Sequence, residues 1–353
     1  MKIVLVIKYL GSKRTLMPLL GALVEASGAK TTLDLFTGTT RVARAMKVAG
    51  KQVTALDSAT YSKVFADTWI SLDAASVNQH ELTDAIEHLA SLPGESGYFT
   101  QSFCLDARYF QPFNGERVDA MREAIASDYA GTWLEQPLLA ALILAADRVD
   151  STTGVQMAYL KQWSRRSAKP IVIKDPELVA GVGSSYLGDA LELTATLPAV
   201  DLAYIDPPYN QHRYFGNYHV WESLVRWDKP PTYGVANKRE DVRGETHRSA
   251  FNSKPTMPSA LQRVLEDLQA ETLILSHNNE SWVSKEQLTS FCSKWACVEV
   301  IDIDFTRYIG SQIGIYNRAG EKVGKPGEKR NVEHLVIAGA RGDVKRMTDL
   351  LKV

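Results

Sequence analysis

Between Thr31 and Asp57 the chain alternates a strand, a tight turn, a helix and a second strand, and this order constrains the fold more than any other feature of the sequence. Thr31-Thr32-Leu33-Asp34-Leu35-Phe36 reads as a strand and Thr37-Gly38-Thr39-Thr40 as a turn. Arg41 to Val48 reads as a helix, with Val42, Ala45 and Ala49 falling on one face. Val53-Thr54-Ala55-Leu56 is the next strand, ending in Asp57. A strand-helix-strand unit of this kind belongs to a parallel sheet, and open sheets of that class bind ligands beyond the carboxyl ends of their strands. Asp57 follows the turn by about twenty residues, where a Rossmann-like unit places an acid on ribose hydroxyls. The other reading of Asp57 is a solvated acid at a strand end. One glycine in the turn is too few for G-x-G-x-x-G, which disfavours a pyrophosphate-bearing dinucleotide. S-adenosylmethionine has no phosphate and needs less.

A second strand end carries the chemistry. The apolar run Leu202-Ala203-Tyr204-Ile205 is followed at once by Asp206-Pro207-Pro208-Tyr209. These residues suit methylation of an exocyclic amine on a base held between a carboxylate and an aromatic ring. Such an amine is a poor nucleophile because its lone pair is delocalised into the ring. Two acceptors aimed at its two hydrogens pull the nitrogen towards tetrahedral geometry. Asp206 can supply one through its carboxylate and Pro207 the other through its carbonyl, while the paired prolines stiffen the turn. Tyr209 can stack on the base. The plain alternative is a strand ending in a proline-rich turn with a buried tyrosine.

With these segments in place, the chain resembles the Dam-type class of adenine-specific DNA methyltransferases, and more closely its FokI-methylase-like branch. Lys8-Tyr9-Leu10-Gly11-Ser12-Lys13 looks like that class's N-terminal cofactor motif, Asp34-Leu35-Phe36-Thr37-Gly38 like its glycine loop, and Asp206-Pro207-Pro208-Tyr209 like its catalytic motif. The branch-specific stretches are Asp147-Arg148-Val149-Asp150-Ser151-Thr152-Thr153-Gly154, Tyr159-Leu160-Lys161, Asn210 with Arg213-Tyr214, Asn217-Tyr218-His219 and Ser276-His277-Asn278-Asn279-Glu280. The resemblance implies that Tyr9 and Lys13 help hold S-adenosylmethionine. It further implies that Asp34, Phe36 and Gly38 line the methionine end, that Asp57 bonds the ribose, and that Gly188-Asp189 contacts the adenine. The family's loop often has a second glycine, near whose place Thr40 stands here.

Length and composition set limits. A chain of 353 residues can bury one large core and a subdomain. Cys104, Cys292 and Cys297 show no zinc-like pairing and suggest a reducing cytosol; no metal site is expected. Ile3 to Ile7 is apolar but too short to span a membrane, and it reads as a buried strand. The net charge of −1 is unusual for a protein that grips DNA, so its charge must be unevenly distributed. Tyr159 to Lys174 carries Lys161, Arg165, Arg166, Lys169 and Lys174 without an acid, around Trp163; a solvated helix face is the other reading. A second basic stretch holds Lys238, Arg239, Arg243, Arg248 and Lys254, and a third Arg318, Lys322, Lys325, Lys329 and Arg330.

The expected architecture is α/β: a Rossmann-like S-adenosylmethionine-dependent methyltransferase sheet formed by residues 1–60 and 186–345, with 61–185 as an inserted, mainly helical subdomain. Its helices are read at Arg117 to Ala126 and Leu134 to Val149, and the resemblance places target recognition there. Tyr218 to Trp227 reads as a further helix. Leu273 to Ser276, Val298 to Ile303 and His334 to Ile337 read as returning strands, with Phe305-Thr306-Arg307-Tyr308 leaving one of them.

The function expected is site-specific adenine-N6 methylation of a flipped-out base in double-stranded DNA. Lys161, Arg165, Arg166, Arg213, Tyr214, Asn217 and His219 are the expected DNA contacts. A proton-transfer role for His219 is disfavoured, since an amine attacking a sulfonium needs no strong base. Two readings of its company stay open, a cognate restriction endonuclease or an orphan enzyme without one, and the expected location is cytoplasmic, nucleoid-associated through DNA binding. Three alternatives stay open: cytosine-N4 methylation, where serine would replace Asp206; adenine-N6 methylation of RNA; and a non-catalytic DNA-binding specificity subunit of the same fold.

Overall fold

The computed structural model describes residues 6–350 apart from Ser12, Tyr209, Asn210, His212, 245–247, 307–314, 317–321 and 325–329. Its main sheet is built from β1 (Thr31–Leu35), β2 (Gln52–Asp57), β3 (Gly183–Leu187), β4 (Val200–Ile205), β7 (Ala270–Asn278), β8 (Cys297–Thr306) and β11 (Arg330–Gly339). Two small hairpins pair β5 (Thr232–Tyr233) with β6 (Lys238–Arg239), and β9 (Ile315–Tyr316) with β10 (Lys322–Gly324). The main order is β3-β2-β1-β4-β7-β11-β8. From β3 to β7 neighbouring strands run parallel, and β11 runs antiparallel to both β7 and β8.

The inner strands β4 and β11 carry long apolar runs because both faces are covered. On β4, Leu202 and Tyr204 join one buried cluster while Ala203 and Ile205 join the other. On β11, Leu335 and Ile337 face the first cluster and Val336 and Ala338 the second. Period-two alternation therefore sorts side chains between two cores rather than between core and water. Helix Met257–Asp267 covers one face through Leu261, Val264 and Leu265. Helices Met17–Ser27, Arg41–Val48, Thr60–Ala66, Pro112–Asp128 and Glu135–Val149 share the other core. Helix Glu135–Val149 is buried almost all round, as its run of Leu, Ile and Ala requires.

Several expectations are corrected in detail. Of the strand expected over Ile3 to Ile7, Ile3, Val4 and Leu5 lie outside the described residues; Val6 and Ile7 are irregular, and Ile7 is buried. The boundary drawn at 186 cuts through β3, which begins at Gly183. The 61–185 segment is helical as far as Val149 and then mostly irregular, with one 3₁₀ turn at Arg165–Ala168. Its helices pack in the same core as the strands, which makes the insertion a layer on the sheet. Of the segment expected to leave β8, Arg307 and Tyr308 lie outside the described residues.

Candidate active site

Parallel register brings the separated motifs to one edge. Leu35 pairs with both Leu56 and Ile205, so Phe36, Asp57 and Asp206 emerge side by side at the carboxyl ends of β1, β2 and β4. Asp57 pairs with Leu187, which brings Gly188 and Asp189 alongside. The chain order reverses between β1 and β4, the switch point where open α/β sheets form their crevice. A cavity of about 510 Å³ lies there, lined on the cofactor-motif side by Tyr9, Phe36, Asp57 and Asp189, and on the catalytic side by Asp206, Pro207 and Pro208. Tyr209 lies outside the described residues.

The turn after β1 is held in an uncommon conformation. Phe36 (φ 68°), Gly38 (φ 53°) and Thr40 (φ 55°) all occupy the left-handed region. The backbone N–H groups of Phe36 and Thr37 both donate to the Leu56 carbonyl at 3.0 Å. Asp34 organises the turn from inside: it accepts from the Thr37 hydroxyl and the Ala43 N–H, each at 2.9 Å. Burial pushes its carboxyl up to about 7, against the pull of those two donors. Asp34 thus shapes the site through the turn, with only 1 % of its surface exposed.

Asp57 accepts from Gly38 N–H at 2.8 Å through one oxygen and from Ala59 N–H at 2.9 Å through the other. Each carboxylate oxygen has a second lone pair, so the acid can hold the turn and still accept from a ligand hydroxyl. Asp189 caps the short helix Ala190–Leu193 by accepting from Leu191 N–H at 2.8 Å. Tyr9 stacks on Tyr218 with ring centroids 4.8 Å apart and tilts against Tyr214 at 5.3 Å. The Tyr218 hydroxyl accepts from Leu10 N–H at 2.7 Å and fixes this aromatic wall.

Lys13, expected as a cofactor contact, turns towards the catalytic side. Its ammonium stands 3.0 Å from Asp206 Oδ1 and 2.6 Å from Glu333 Oε1. Ser276 on β7 also donates to Glu333 Oε1. Burial raises the Asp206 carboxyl to about 6; Lys13 opposes the rise and Glu333 adds to it. Glu333 was missed in the sequence, where its signal was an acid entering the apolar run of β11.

The expected DNA contacts divide. Lys161, Arg165 and Arg213 are exposed, and Arg213 and Tyr214 line the cavity mouth. Arg166 is engaged inward: it donates to the Asp150 and Thr152 carbonyls at 2.8 and 2.6 Å and pairs with the Asp150 carboxylate. Asp150 also stands 3.3 Å from Lys8 Nζ, which pairs with Asp147 at 2.9 Å. The branch-specific stretch from Asp147 therefore ties the basic segment to the N-terminal motif. Asn217 and His219 are corrected as direct DNA contacts, because they are 2 % and 0 % exposed. His219 Nε2 donates to the Gln156 carbonyl at 2.9 Å, and burial lowers its pKa to about 3, so it fastens the 151–160 segment to helix His219–Arg226 as a neutral ring.

In the second basic stretch, Arg239 is buried between Asp228 and Asp241, while Arg243 and Arg248 are exposed. Arg248 and Phe251 line the cavity as well, and no motif had marked Phe251. Of the third stretch, Arg318, Lys325 and Lys329 lie outside the described residues.

A family model described as D12 class N6 adenine-specific DNA methyltransferase matches residues 9–320. The type II methyltransferase M.NlaIII of Neisseria lactamica is 30% identical over 287 residues, covering 78% of this chain and 83% of that protein. Modification methylase StsI of Streptococcus sanguinis is 27% identical, covering 84% of this chain and 47% of its own length. The type II methyltransferase M.FokI of Planomicrobium okeanokoites is 25% identical, with 80% of this chain and 46% of that protein covered. The chain thus spans most of the first relative and about half of the other two. A match of that extent agrees with a crevice lined by Asp206 together with Tyr9, Phe36 and Asp57: the chain belongs to the D12 class of N6 adenine-specific DNA methyltransferases.

Proposed function

We propose that the protein methylates N6 of an adenine rotated out of double-stranded DNA, at a specific site, with S-adenosylmethionine as donor. The observation that carries this reading is the shared cavity, onto which β1, β2 and β4 deliver Phe36, Asp57 and Asp206 in register. The residues present fit the donor. Gly38 forms a cradle that a Cβ would fill against the Tyr9 ring, and Asp57 has acceptor capacity left at the ribose position. Tyr9, Phe36, Gly38, Asp57 and Asp189 would hold it, and bound there it supplies a methyl group on a positively charged sulfur.

Asp206 and the Pro207 carbonyl accept from the two amine hydrogens and turn the nitrogen lone pair towards the methyl carbon. The new N–C bond forms as the S–C bond breaks, so positive charge passes from sulfur to nitrogen. The methylated amine is then acidic, and its proton leaves to Asp206 or to water. Asp206 must be ionised to act as a strong acceptor, since protonation turns one of its oxygens into a donor. Tyr209 is assigned the stacking role by its place in the motif. Lys161, Arg165, Arg213 and Tyr214 are the DNA contacts supported by exposure or by their place at the cavity mouth, with the 61–185 layer contributing to target reading. The names of the relatives support a companion restriction endonuclease.

Transfer of a tritiated methyl group to duplex DNA, with the labelled base identified, tests this function. Expression in a host lacking adenine methylation, followed by sequencing for modified bases, gives the site. Asp206→Ala should abolish transfer while leaving donor binding within about threefold; loss of donor binding in a folded variant contradicts the assignment.

A further inference from the structure

Glu333 lies on β11, more than three hundred residues from the catalytic motif's partner Lys13 in sequence, and yet the two are in direct contact at 2.6 Å. The Lys13 ammonium and the Glu333 carboxylate are buried, with 9 % and 2 % of their side chains exposed, while Asp206 keeps 20 %. Burying a charge is tolerated only when it is paired and hydrogen-bonded. Here one ammonium serves two carboxylates, and the shorter contact goes to the one that does not face the cavity. Ser276 adds a hydrogen bond that fixes Glu333 in place.

We infer that Glu333 is a positioning residue for methyl transfer, dividing the charge of Lys13 so that the Asp206 carboxylate remains an available acceptor instead of being locked into an ion pair. A carboxylate paired alone with a buried ammonium would be a weak acceptor for an amine hydrogen. Glu333 draws the ammonium towards β11, with the Lys13 contact to Glu333 Oε1 at 2.6 Å shorter than its 3.0 Å approach to Asp206 Oδ1. The arrangement holds the acid in position while the shared ammonium leaves it acceptor capacity for the substrate. This inference rests on the acceptor role of Asp206 proposed above.

Among the described residues, Asp34 from β1 and Tyr204 from its own strand act electrostatically on Asp206, and Tyr9 and Arg41 line the same pocket. His277 of β7 faces Lys13, and burial keeps it neutral with a pKa of about 3. Asp34 titrates near Asp206, so the acid limb of activity is assigned by how a variant moves it, not by where it falls.

The test is the pH dependence of single-turnover methylation with donor saturating, from acid to mildly alkaline pH. In Glu333→Gln the undivided Lys13 charge should pull the acid limb down by about one unit, since a neighbouring charge moves a carboxylate by roughly 1–3 units. The plateau rate should fall by about tenfold or more, with donor affinity unchanged. Glu333→Asp, which keeps the charge, should restore the wild-type limb. Should Glu333→Gln fail to fold, Ser276→Ala carries the test, moving the limb the same way by less. An unmoved limb in a folded variant overturns the role of Glu333. An active Asp206→Ala would instead overturn the acceptor reading itself, so the two failures are distinguishable.

Discussion

A single carbon added at Gly38 would sit 3.1 Å from the Tyr9 ring, on a backbone with φ 53° that side chains seldom adopt. Gly38→Ala should therefore weaken donor binding at least tenfold and destabilise the fold by about 1–2 kcal/mol, read by titration and thermal melting. An unchanged affinity would mean that the Tyr9 wall yields freely. Thr40 illustrates the opposite choice, holding φ 55° with a β-branched side chain at the place where the resembling family often has glycine. Asp57 has two tasks, the turn and the ribose. In Asp57→Asn one acceptor oxygen becomes a donor facing backbone N–H groups, so donor dissociation should rise by a factor of ten or more, consistent with about 1.5–3 kcal/mol for the loss of a charge-assisted hydrogen bond. Equal affinity in wild type and variant would reduce Asp57 to a strand-end acid.

Among the elements, the segment from Asp150 to Lys169 separates neighbours that look alike in sequence. Lys161 and Arg165 are exposed, whereas Arg166 is engaged by Asp150 and Thr152. Replacing Lys161 and Arg165 with glutamine should flatten the salt dependence of DNA binding, by about 0.9 in the log–log slope for each phosphate that is no longer neutralised. Arg166→Gln should leave that slope alone and lower the melting temperature, because Asp150 would be deprived of a charged partner. A slope that falls with Arg166→Gln as well would show that the arginine leaves its acid to reach DNA. The sequence could not distinguish these residues, since a run of basic side chains does not reveal which of them has a distant acid to meet. The strands and turn from Thr31 to Asp57 were legible because their pattern is local, and helix Arg41–Val48 lies where the apolar spacing put it. Glu333 and the inward turn of Lys13 were hidden for the opposite reason. Their pairing depends on the antiparallel placement of β11, which joins residues far apart in the chain.

Taken as a whole, the molecule buries acids that would rather be neutral. Burial raises Asp34 and Glu222 to about 7 and Asp147 and Asp206 to about 6. A carboxyl whose pKa is higher in the folded chain takes up its proton more readily when folded, so its contribution to stability grows as pH falls through the folded pKa and is lost as pH rises. His219 and His277, held near 3, act in the reverse sense, losing stability below the ordinary histidine pKa. The acids outnumber them, and the melting temperature should rise from pH 8 to about pH 5.5, while methylation, which needs Asp206 ionised, falls over the same interval. Parallel melting and activity series check this; a melting temperature that drops throughout would show that the acids stay charged. The sheet order has a further consequence for synthesis. Among the described strands of the main sheet β11 comes latest in the chain, yet it belongs between β7 and β8. Until it emerges from the ribosome, both neighbours present bare edges that can pair with other nascent chains. Because β11 also brings Glu333 to Lys13, a growing chain completes its sheet and its catalytic charge arrangement in the same event.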